Sequence, residues 1–250
     1  VLARQSDFFT DETIRPLSLL RAISLGTPNS FHYCFQPGDG VALVGASPER
    51  LYRRDDALIE TEALAGTRPR GATPEEDAAL GEELLASDKE QREHAYVSRT
   101  IRDVLGALCS NIEEGSSHLL RLGHYQHLLT PLRGRAHSSA DDWAILRALH
   151  PTPAVGGVPR ANAIARIREL EGFDRGWYTG PIGWIARDGA EFAVAIRSAL
   201  VHGARVSVYT GAGIVPGSDP DDEWRELENK LADFRSVLEG TPAAADAVRP

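Results

Sequence analysis

The sequence predicts an α+β domain in which helices pack outside antiparallel sheets. Clusters of strand-like segments are interrupted by long helical patterns, an order typical of α+β proteins. Short turn-forming sequences join neighbouring strand candidates, which indicates antiparallel pairing. With 250 residues, 42% of them hydrophobic, the chain is long enough to bury a core. We expect one domain over residues 1–240 and a flexible tail over 241–250, which is rich in Ala and Pro.

The first half contains a predicted hairpin, a further strand and a long helical region. Residues 31–35 and 41–46 are strand-like and flank the turn-forming sequence PGDG. Another strand is expected over 57–64, and the spacing of apolar residues over 74–108 predicts one or two helices.

The second half is predicted to alternate between strands and helices. A strand candidate covers 118–129, and helical patterns cover 140–149 and 160–171. Three strand-like runs, separated by short turns, follow one another: 181–187, 191–201 and 205–210. These runs predict an antiparallel meander. The last predicted element is a helix over 220–239.

The last helix carries acids beside its predicted apolar stripe. Ser218 or Asp219 is the expected N-cap. The stripe has five members at helical spacing: Trp224, Leu227, Leu231, Phe234 and Leu238. Glu223, Glu226 and Lys230 border this stripe. The last two are also spaced as an ordinary i,i+4 surface pair.

The helical pattern around 90–108 repeats this arrangement. Its apolar stripe consists of Val97, Ile101, Val104, Leu105 and Leu108. Continuing the stripe backwards reaches Glu93 and Glu90, which predicts that both acids face inward. A buried carboxylate is costly unless it is paired or binds a metal. The spacing also permits a helix that protrudes past the core, with both acids in solvent beside Lys89 or Arg92.

Two helices that each place an E-x-x-E pair beside a core stripe can face one another across a cleft. Glu90, Glu93, Glu223 and Glu226 would then offer oxygen ligands without any cysteine or suitably spaced histidine. Such a set suits a hard ion, and magnesium is favoured because it keeps positions open for a substrate.

Two further segments suggest contacts with an anion. Gly211-Ala212-Gly213 can expose backbone N–H groups with little steric cover, although a simple tight turn explains the same sequence. Arg197 lies among alanines on one face of the predicted strand over 191–201, where it has room to hold a carboxylate. An arginine on a solvent-facing sheet would show the same pattern.

Other polar residues are weaker candidates when taken singly. Glu49 follows a strand in the sequence SPER and fits a surface turn as well as a catalytic acid. Gly66 and Thr67 end another predicted strand, and His127 and His150 are most simply structural histidines.

Composition narrows the classes of partner. The net charge of -9 and the lack of a basic run argue against a nucleic-acid surface. No apolar run approaches the roughly 20 residues that cross a bilayer, so no membrane partner is expected. Cys34 and Cys109 form no metal-binding or disulfide pattern, which favours a cytoplasmic protein. The chain contains no methionine and begins with valine, so we expect a piece whose N-terminal part is missing.

A family resemblance extends over nearly the whole chain. Eight segments in this order carry it: GASPERL, TEALAGTRPRG, LLASDKEQREH, QHLLTP, LHPTPAVGGVPR, WYTGPIGW, FAVAIRSAL and YTGAGIVPGSDPDDEWRELENK. The sequence strongly resembles the chorismate-utilising enzymes, and within them the isochorismate synthases of menaquinone and siderophore pathways. The resemblance implies two antiparallel sheets flanked by helices, and a small-molecule substrate, chorismate.

The resemblance assigns a role to each candidate residue. Glu49 is expected to protonate the leaving C4 hydroxyl of chorismate. His127, the second expected catalytic residue, should lie beside the ring. Magnesium is expected on four glutamates, the first two directly and the others through water: Glu93, Glu226, Glu90 and Glu223. Substrate contacts are expected from Gly66, Thr67, Ala154, Tyr178, Arg197, Gly211 and Lys230.

The implied reaction is an isomerisation of chorismate in which water adds at C2 and the C4 hydroxyl leaves. It requires a base for the water and an acid for the leaving group, on opposite faces of the ring. Magnesium would neutralise and orient the ring carboxylate. In the family a lysine in a K-x-x-L-x-R-like strand activates the water, and the matching segment here is residues 1–4, VLAR. That lysine would precede residue 1, so we expect the chain as it stands to bind its ligands with little or no turnover.

Two alternatives remain open. One is a salicylate, anthranilate or aminodeoxychorismate synthase, and the other is a non-catalytic fragment that binds chorismate and magnesium. Ala154 favours the isochorismate synthases, because anthranilate and salicylate relatives tend to place threonine near that position. The sequence TRPRG over 67–71 is similar to anthranilate synthases and favours the alternative.

Overall fold

A computed structural model describes residues 1–38, 40–123 and 125–239. The predicted α+β fold is confirmed, because two antiparallel sheets are flanked by helices. The first elements are β1 (Leu2–Phe9), α1 (Pro16–Gly26), β2 (Phe31–Gly38), β3 (Val41–Ser47), β4 (Arg50–Asp55), β5 (Leu58–Pro69), α2 (Pro74–Ala86) and α3 (Asp88–Leu108). They are followed by β6 (Cys109–Glu114), β7 (His118–Arg121), β8 (Tyr125–Ala136), α4 (Asp142–Leu149), α5 (Pro153–Gly156), α6 (Arg160–Leu170), β9 (Pro181–Ile185), β10 (Gly189–Val194), β11 (Ser198–His202), β12 (Arg205–Ala212) and α7 (Pro220–Leu238). Asp39 of the predicted turn and the expected tail over 241–250 lie outside the described residues.

The smaller sheet has five strands in the order β1-β12-β11-β3-β2. The predicted hairpin is present in it as β2 and β3. Helices α1 and α7 cover one face, and the buried cluster between them and the sheet includes Leu19, Val44, Val208, Leu231 and Phe234. This packing holds α7 against the smaller sheet through its apolar stripe.

The larger sheet has seven strands, in the order β6-β8-β5-β4-β10-β9 with β7 paired to β8. Helices α3, α4 and α5 contribute to its buried cluster, which includes Ile59, Val97, Ile101, Leu105 and Ile145. The predicted inward stripe of α3 is therefore confirmed. Because Glu90 and Glu93 continue that stripe, α3 directs them toward the space between the sheets.

The segment predicted as one strand over 191–201 is divided between the two sheets. β10 ends at Val194 in the larger sheet, and β11 begins at Ser198 in the smaller sheet. Arg197 connects them with a φ of 50°, a left-handed value that is uncommon for a residue other than glycine. The predicted three-stranded meander is wrong for this reason. The alternation of small and apolar residues continues through the break, so the local pattern contains no sign of it.

Several other elements differ from the prediction. The region 118–129 contributes to two paired strands, β7 and β8, instead of one. Trp224, predicted in the buried stripe of α7, is 54% exposed, and the guanidinium carbon of Arg4 lies 4.4 Å from its ring centre. Asp219 is the N-cap of α7, since its carboxylate accepts the backbone N–H groups of Asp221 and Asp222. The elements α1, β4, β6 and α5 were not predicted. No helix in the described ranges is long and apolar enough to cross a membrane.

Candidate active site

A cavity of about 90 Å³ opens where the two sheets, α3 and α7 meet. All but one of the predicted site residues line it: Glu49, Gly66, Thr67, Glu90, Glu93, His127, Ala154, Tyr178, Arg197, Gly211, Glu226 and Lys230. The exception is Glu223, which is buried and is linked to Glu90 through Lys89. The fold thus brings residues from distant parts of the chain to one wall. Their individual roles remain predictions.

Glu49 lies in a protected part of the wall, just after β3. Its backbone is fixed by two hydrogen bonds, because its N–H donates to Ser47 Oγ at 3.2 Å and its carbonyl accepts the N–H of Val194 at 3.0 Å. Thr152 Oγ1 donates to its Oε1 at 3.1 Å. Burial raises the pKa of Glu49 to about 8, with a smaller contribution from Glu62, and outweighs the opposing effect of Thr152. Glu49 therefore keeps its proton at neutral pH and can act as a donor.

His127 is a neutral imidazole in the wall. Its Nδ1 lies 3.2 Å from the carbonyl oxygen of Gly66 and 3.2 Å from Thr67 Oγ1. A carbonyl oxygen can only accept, so Nδ1 carries the hydrogen and Nε2 keeps a lone pair. Burial, followed by the charges of Arg197 and Lys230, lowers the pKa of His127 to about 3. Nε2 is buried without a protein partner within the described ranges.

Arg197 was predicted on the face of a strand. It reaches the cavity instead from the connection between the two sheets. Its carbonyl accepts the N–H of Ala46 at 3.1 Å, and its guanidinium carbon lies 4.3 Å from the ring centre of Tyr125. Thr179, with a φ of 66°, also lines the cavity. Left-handed residues other than glycine cost about 1–3 kcal/mol each and cluster at functional sites. The backbone here is held in a conformation that aims Arg197 into the cavity.

A second part of the wall carries a cluster of carboxylates. Burial, together with the charges of Glu226 and Glu90, raises the pKa of Glu93 to about 7. Burial alone would also raise the pKa of Glu226, but Lys230 outweighs it and lowers that pKa. Lys89 links Glu223 to Glu90, so the two E-x-x-E pairs face one another, as predicted. Glu90 and Glu223 are buried, whereas Glu93 and Glu226 are partly exposed. The neighbours of each carboxylate decide whether it holds a proton.

Cations lie among these carboxylates. Lys89 Nζ is 2.5 Å from Glu223 Oε1 and 3.8 Å from Glu90 Oε1. Lys230 Nζ is 2.5 Å from Glu226 Oε1 and 2.8 Å from the carbonyl oxygen of Gly211. The i,i+4 pair on α7 is thus present, but it faces the cavity and not the solvent. Across the described residues, no three His, Cys, Asp or Glu side chains stand in a ready metal-binding arrangement.

The glycine segment serves close approach rather than an anion nest. Gly211 and Ala212 are the last residues of β12, paired with β1, and neither Gly211 nor Gly213 has a left-handed φ. A nest of successive N–H groups requires such a turn, so no nest forms at these glycines, and the contact of their N–H groups with an anion stays a prediction. A Cβ on Gly213 would lie 1.9 Å from Glu93 Oε1, and one on Gly211 would lie 2.9 Å from the Tyr178 hydroxyl. Glycine at both positions lets functional side chains touch the backbone.

Arg175 and Thr152 are among the polar residues of the site that the sequence analysis missed. Arg175 lines the cavity, holds Glu171 with two nitrogens and donates to the carbonyl of Val155 at 2.9 Å. Thr152 contacts Glu49 from a position 103 residues away in the sequence. Both lie inside segments that carry the family resemblance or adjoin one, which was the available signal.

Comparisons with known proteins agree with this geometry. The sequence model of a family described as "Chorismate binding enzyme" matches residues 1–239. Isochorismate synthase 2, chloroplastic, from Arabidopsis thaliana is 40% identical over 241 residues, which are 96% of this chain and 43% of that protein. Isochorismate synthase MenF from Bacillus subtilis is 39% identical over 96% of this chain and 51% of its own length. The chain spans about half the length of the curated relatives it matches.

Solved structures show the same fold. The structure of MenF, the menaquinone-specific isochorismate synthase from Escherichia coli, superposes with a TM-score of 0.89 at 38% identity, over 95% of this chain and 55% of that one. Anthranilate synthase component I from Streptococcus pneumoniae superposes with a TM-score of 0.79 at 29% identity, over 94% and 53%.

Proposed function

Since the chain belongs to the chorismate binding enzyme family, we propose that it converts chorismate to isochorismate. The observation that supports this most directly is the state of Glu49, which lies in the cavity wall with a pKa raised to about 8 by burial. A hydroxyl group leaves carbon readily only when it is protonated, so the reaction requires an acid that keeps its proton at neutral pH.

The proposed reaction balances as an isomerisation. Water forms a bond to C2 and gives one proton to a general base, for which the lysine of the family motif is expected. The double bonds shift, and the C4 oxygen leaves as water with the proton of Glu49. His127 has a pKa of about 3, too low for it to take the proton of the attacking water. We propose instead that Nε2 of His127 accepts a hydrogen bond from a hydroxyl group on the ring.

The substrate is held by charge and by a phenol. Chorismate carries two carboxylates, and Arg197, Arg175 and Lys230 bring positive charge to the cavity wall. Burial raises the pKa of Tyr178, so its hydroxyl remains a donor. A planar guanidinium pairs with a carboxylate through two parallel hydrogen bonds, and we assign this contact to Arg197.

We also propose magnesium as the cofactor. Two observations fit a cation: the buried Oε2 of Glu223 has no partner in the described part of the chain, and the pKa of Glu93 is raised to about 7 by burial and by its carboxylate neighbours. The ligands would be Glu93 and Glu226, supported by Glu90 and Glu223, an all-oxygen set that suits magnesium. When bound, the ion would neutralise and orient a substrate carboxylate. Lys89 and Lys230 neutralise the same carboxylates in its absence.

Anthranilate synthesis is the second candidate. The superposition on anthranilate synthase component I and the sequence TRPRG over 67–71 favour it. It differs in nucleophile, because ammonia replaces water, and in eliminating pyruvate to give an aromatic product.

The test is product analysis of the full-length protein with chorismate and magnesium, with and without ammonium, followed by NMR. We expect isochorismate in both reactions and at least about 100-fold slower formation by Glu49→Gln. Anthranilate in the ammonium reaction would establish the second candidate. Binding of chorismate with no product of either kind would overturn the proposed activity and favour a binding protein.

The proposed product suits a pathway that consumes isochorismate. Relatives include a menaquinone-specific enzyme and one described as 2,3-dihydroxybenzoate-specific, so we propose a menaquinone or siderophore route.

The free thiols Cys34 and Cys109 support a cytoplasmic location.

A further inference from the structure

The side chain of Glu49 has one hydrogen-bonding neighbour whose purpose the proposed reaction does not explain. Thr152 Oγ1 donates to Glu49 Oε1 at 3.1 Å, and both residues are buried, at 3% and 4% exposure. The contact joins the turn before α5 to the residue that follows β3. A buried hydroxyl that contacts a buried acid affects where the acid holds its proton.

The threonine is not used to stabilise its own helix. Thr152 is the N-cap residue of α5, a position where a hydroxyl ordinarily accepts a helix N–H. Here the side chain makes no capping bond, and the N–H groups of Val155 and Gly156 bind the Thr152 carbonyl at 3.1 Å and 2.7 Å. The hydroxyl is turned away from the helix and toward Glu49.

We propose that Thr152 is a positioning residue that directs the acidic proton of Glu49 to Oε2. In a neutral carboxyl group, the oxygen that accepts a hydrogen bond is the carbonyl oxygen, and the other oxygen carries the proton. Donation from Thr152 to Oε1 therefore leaves Oε2–H to point to the substrate. This inference rests on the proposed function, in which Glu49 is the acid.

The same hydrogen bond stabilises Glu49 after it has given up its proton. A donor to a carboxylate lowers its pKa, so Thr152 opposes the effect of burial. The other ionisable groups near Glu49 are Glu62 on β5 and Tyr178 ahead of β9, while Arg175 and Arg197 line the same cavity. Glu62 acts in the opposite direction to Thr152, because a second negative charge favours the protonated form.

The experiment compares Thr152→Val, which keeps the shape but removes the hydroxyl, with Thr152→Ser, which restores it. The first readout is infrared titration of the protonated carboxyl band in the ligand-free protein, assigned by its loss in Glu49→Gln. The second is the pH dependence of kcat and kcat/KM. Thr61→Val is the matched control, since it removes a buried hydroxyl bonded to the carbonyl of Leu51 at 2.7 Å and does not touch Glu49.

We expect Thr152→Val to move the infrared midpoint to higher pH and to lower kcat roughly 3- to 10-fold, the effect of one hydrogen bond, with KM little changed. Thr152→Ser should restore both values, and Thr61→Val should leave the midpoint unchanged. Should the valine variant not fold, Thr152→Ala is measured in its place.

An unmoved midpoint in a folded variant lacking the hydroxyl, or a serine variant that restores neither value, would overturn the inference. The infrared readout does not depend on turnover. A shifted midpoint in a protein that forms no isochorismate would therefore support the contact and reject the proposed activity.

Discussion

Glu49 and Glu226 line the same cavity, yet their surroundings give them opposite protonation states. Glu49 is buried beside an uncharged threonine, and its pKa rises to about 8. Glu226 is also penalised by burial, but the ammonium of Lys230 at 2.5 Å outweighs that penalty and lowers its pKa. Glu49 is therefore a proton donor, whereas Glu226 is an ionised carboxylate.

The difference shows that the chemistry of a glutamate is set by its nearest partner and not by burial alone. Glu93 is an intermediate case, because its neighbours include both carboxylates and lysines and its pKa is about 7. The proposed reaction uses both states: a neutral acid for the leaving group and anionic oxygens for a cation. The predictions below alter one member of the comparison at a time.

The largest effect is expected for Glu49→Gln, which removes the proton donor while keeping the shape. We expect kcat to fall about 100- to 10,000-fold, the usual contribution of general acid catalysis. Chorismate affinity, measured by calorimetry, should change little. A variant that retains more than a tenth of the wild-type kcat would show that another group protonates the leaving hydroxyl.

The same variant should change the pH dependence of stability. The folded pKa of Glu49, about 8, lies above its ordinary value of 4.5, so the folded protein binds this proton more tightly. The contribution of this proton to the free energy of unfolding is fully present below about pH 4.5 and is lost as the pH rises through 8. Thermal melts of wild type should therefore fall between those limits more steeply than melts of Glu49→Gln. Parallel curves would contradict the raised pKa.

Glu226→Gln removes the ionised member of the comparison. We expect magnesium affinity, measured by calorimetry without substrate, to fall roughly 10- to 100-fold, as is typical when the surroundings of a metal are altered. Glu228→Gln is the matched control, because Glu228 lies on the same helix and pairs with Arg4 and Arg235. Equal magnesium affinity in the two variants would remove Glu226 from the ligand set.

Arg197→Lys tests whether the charge that acts on His127 and Glu226 also holds the substrate. Lysine keeps the charge but loses the fork, so we expect chorismate to bind about tenfold more weakly while thermal stability hardly changes. Arg133→Lys, which alters an exposed pair with Glu113, serves as the control. Unaltered affinity in the Arg197 variant would assign the substrate carboxylate to another cation.

The smallest effect is expected for Lys89→Met, which makes the carboxylate cluster more negative. A partly exposed ion pair contributes up to about 1 kcal/mol, so magnesium affinity should rise about two- to fivefold. Lys89→Arg, which keeps the charge, should show no gain. Weaker magnesium binding in the methionine variant would mean that Lys89 holds Glu223 in place for the ion and does not compete with it.

Local patterns in the sequence were sufficient for the helices that carry the acids. The apolar stripe of α3 predicted that Glu90 and Glu93 face inward, and Asp219 was recognisable as the start of α7. These features depend on neighbours within one or two helical turns, which the sequence records directly. Family motifs also predicted the residues that line the cavity. A shared motif indicates residues that the fold brings together, even where residue spacing gives no indication of it.

Tertiary structure alone decided three features. The chain crosses between sheets at Arg197 although the strand-like pattern continues, because pairing with β4 and β3 ends on either side of that residue. Trp224 is exposed although it continues the apolar stripe of α7, and it lies beneath the guanidinium of Arg4 from β1. Thr152 meets Glu49 across 103 residues, and that contact, with the burial around it, sets the protonation of the proposed acid. Desolvation and long-range contacts depend on everything packed around a group, so no short stretch of sequence contains them.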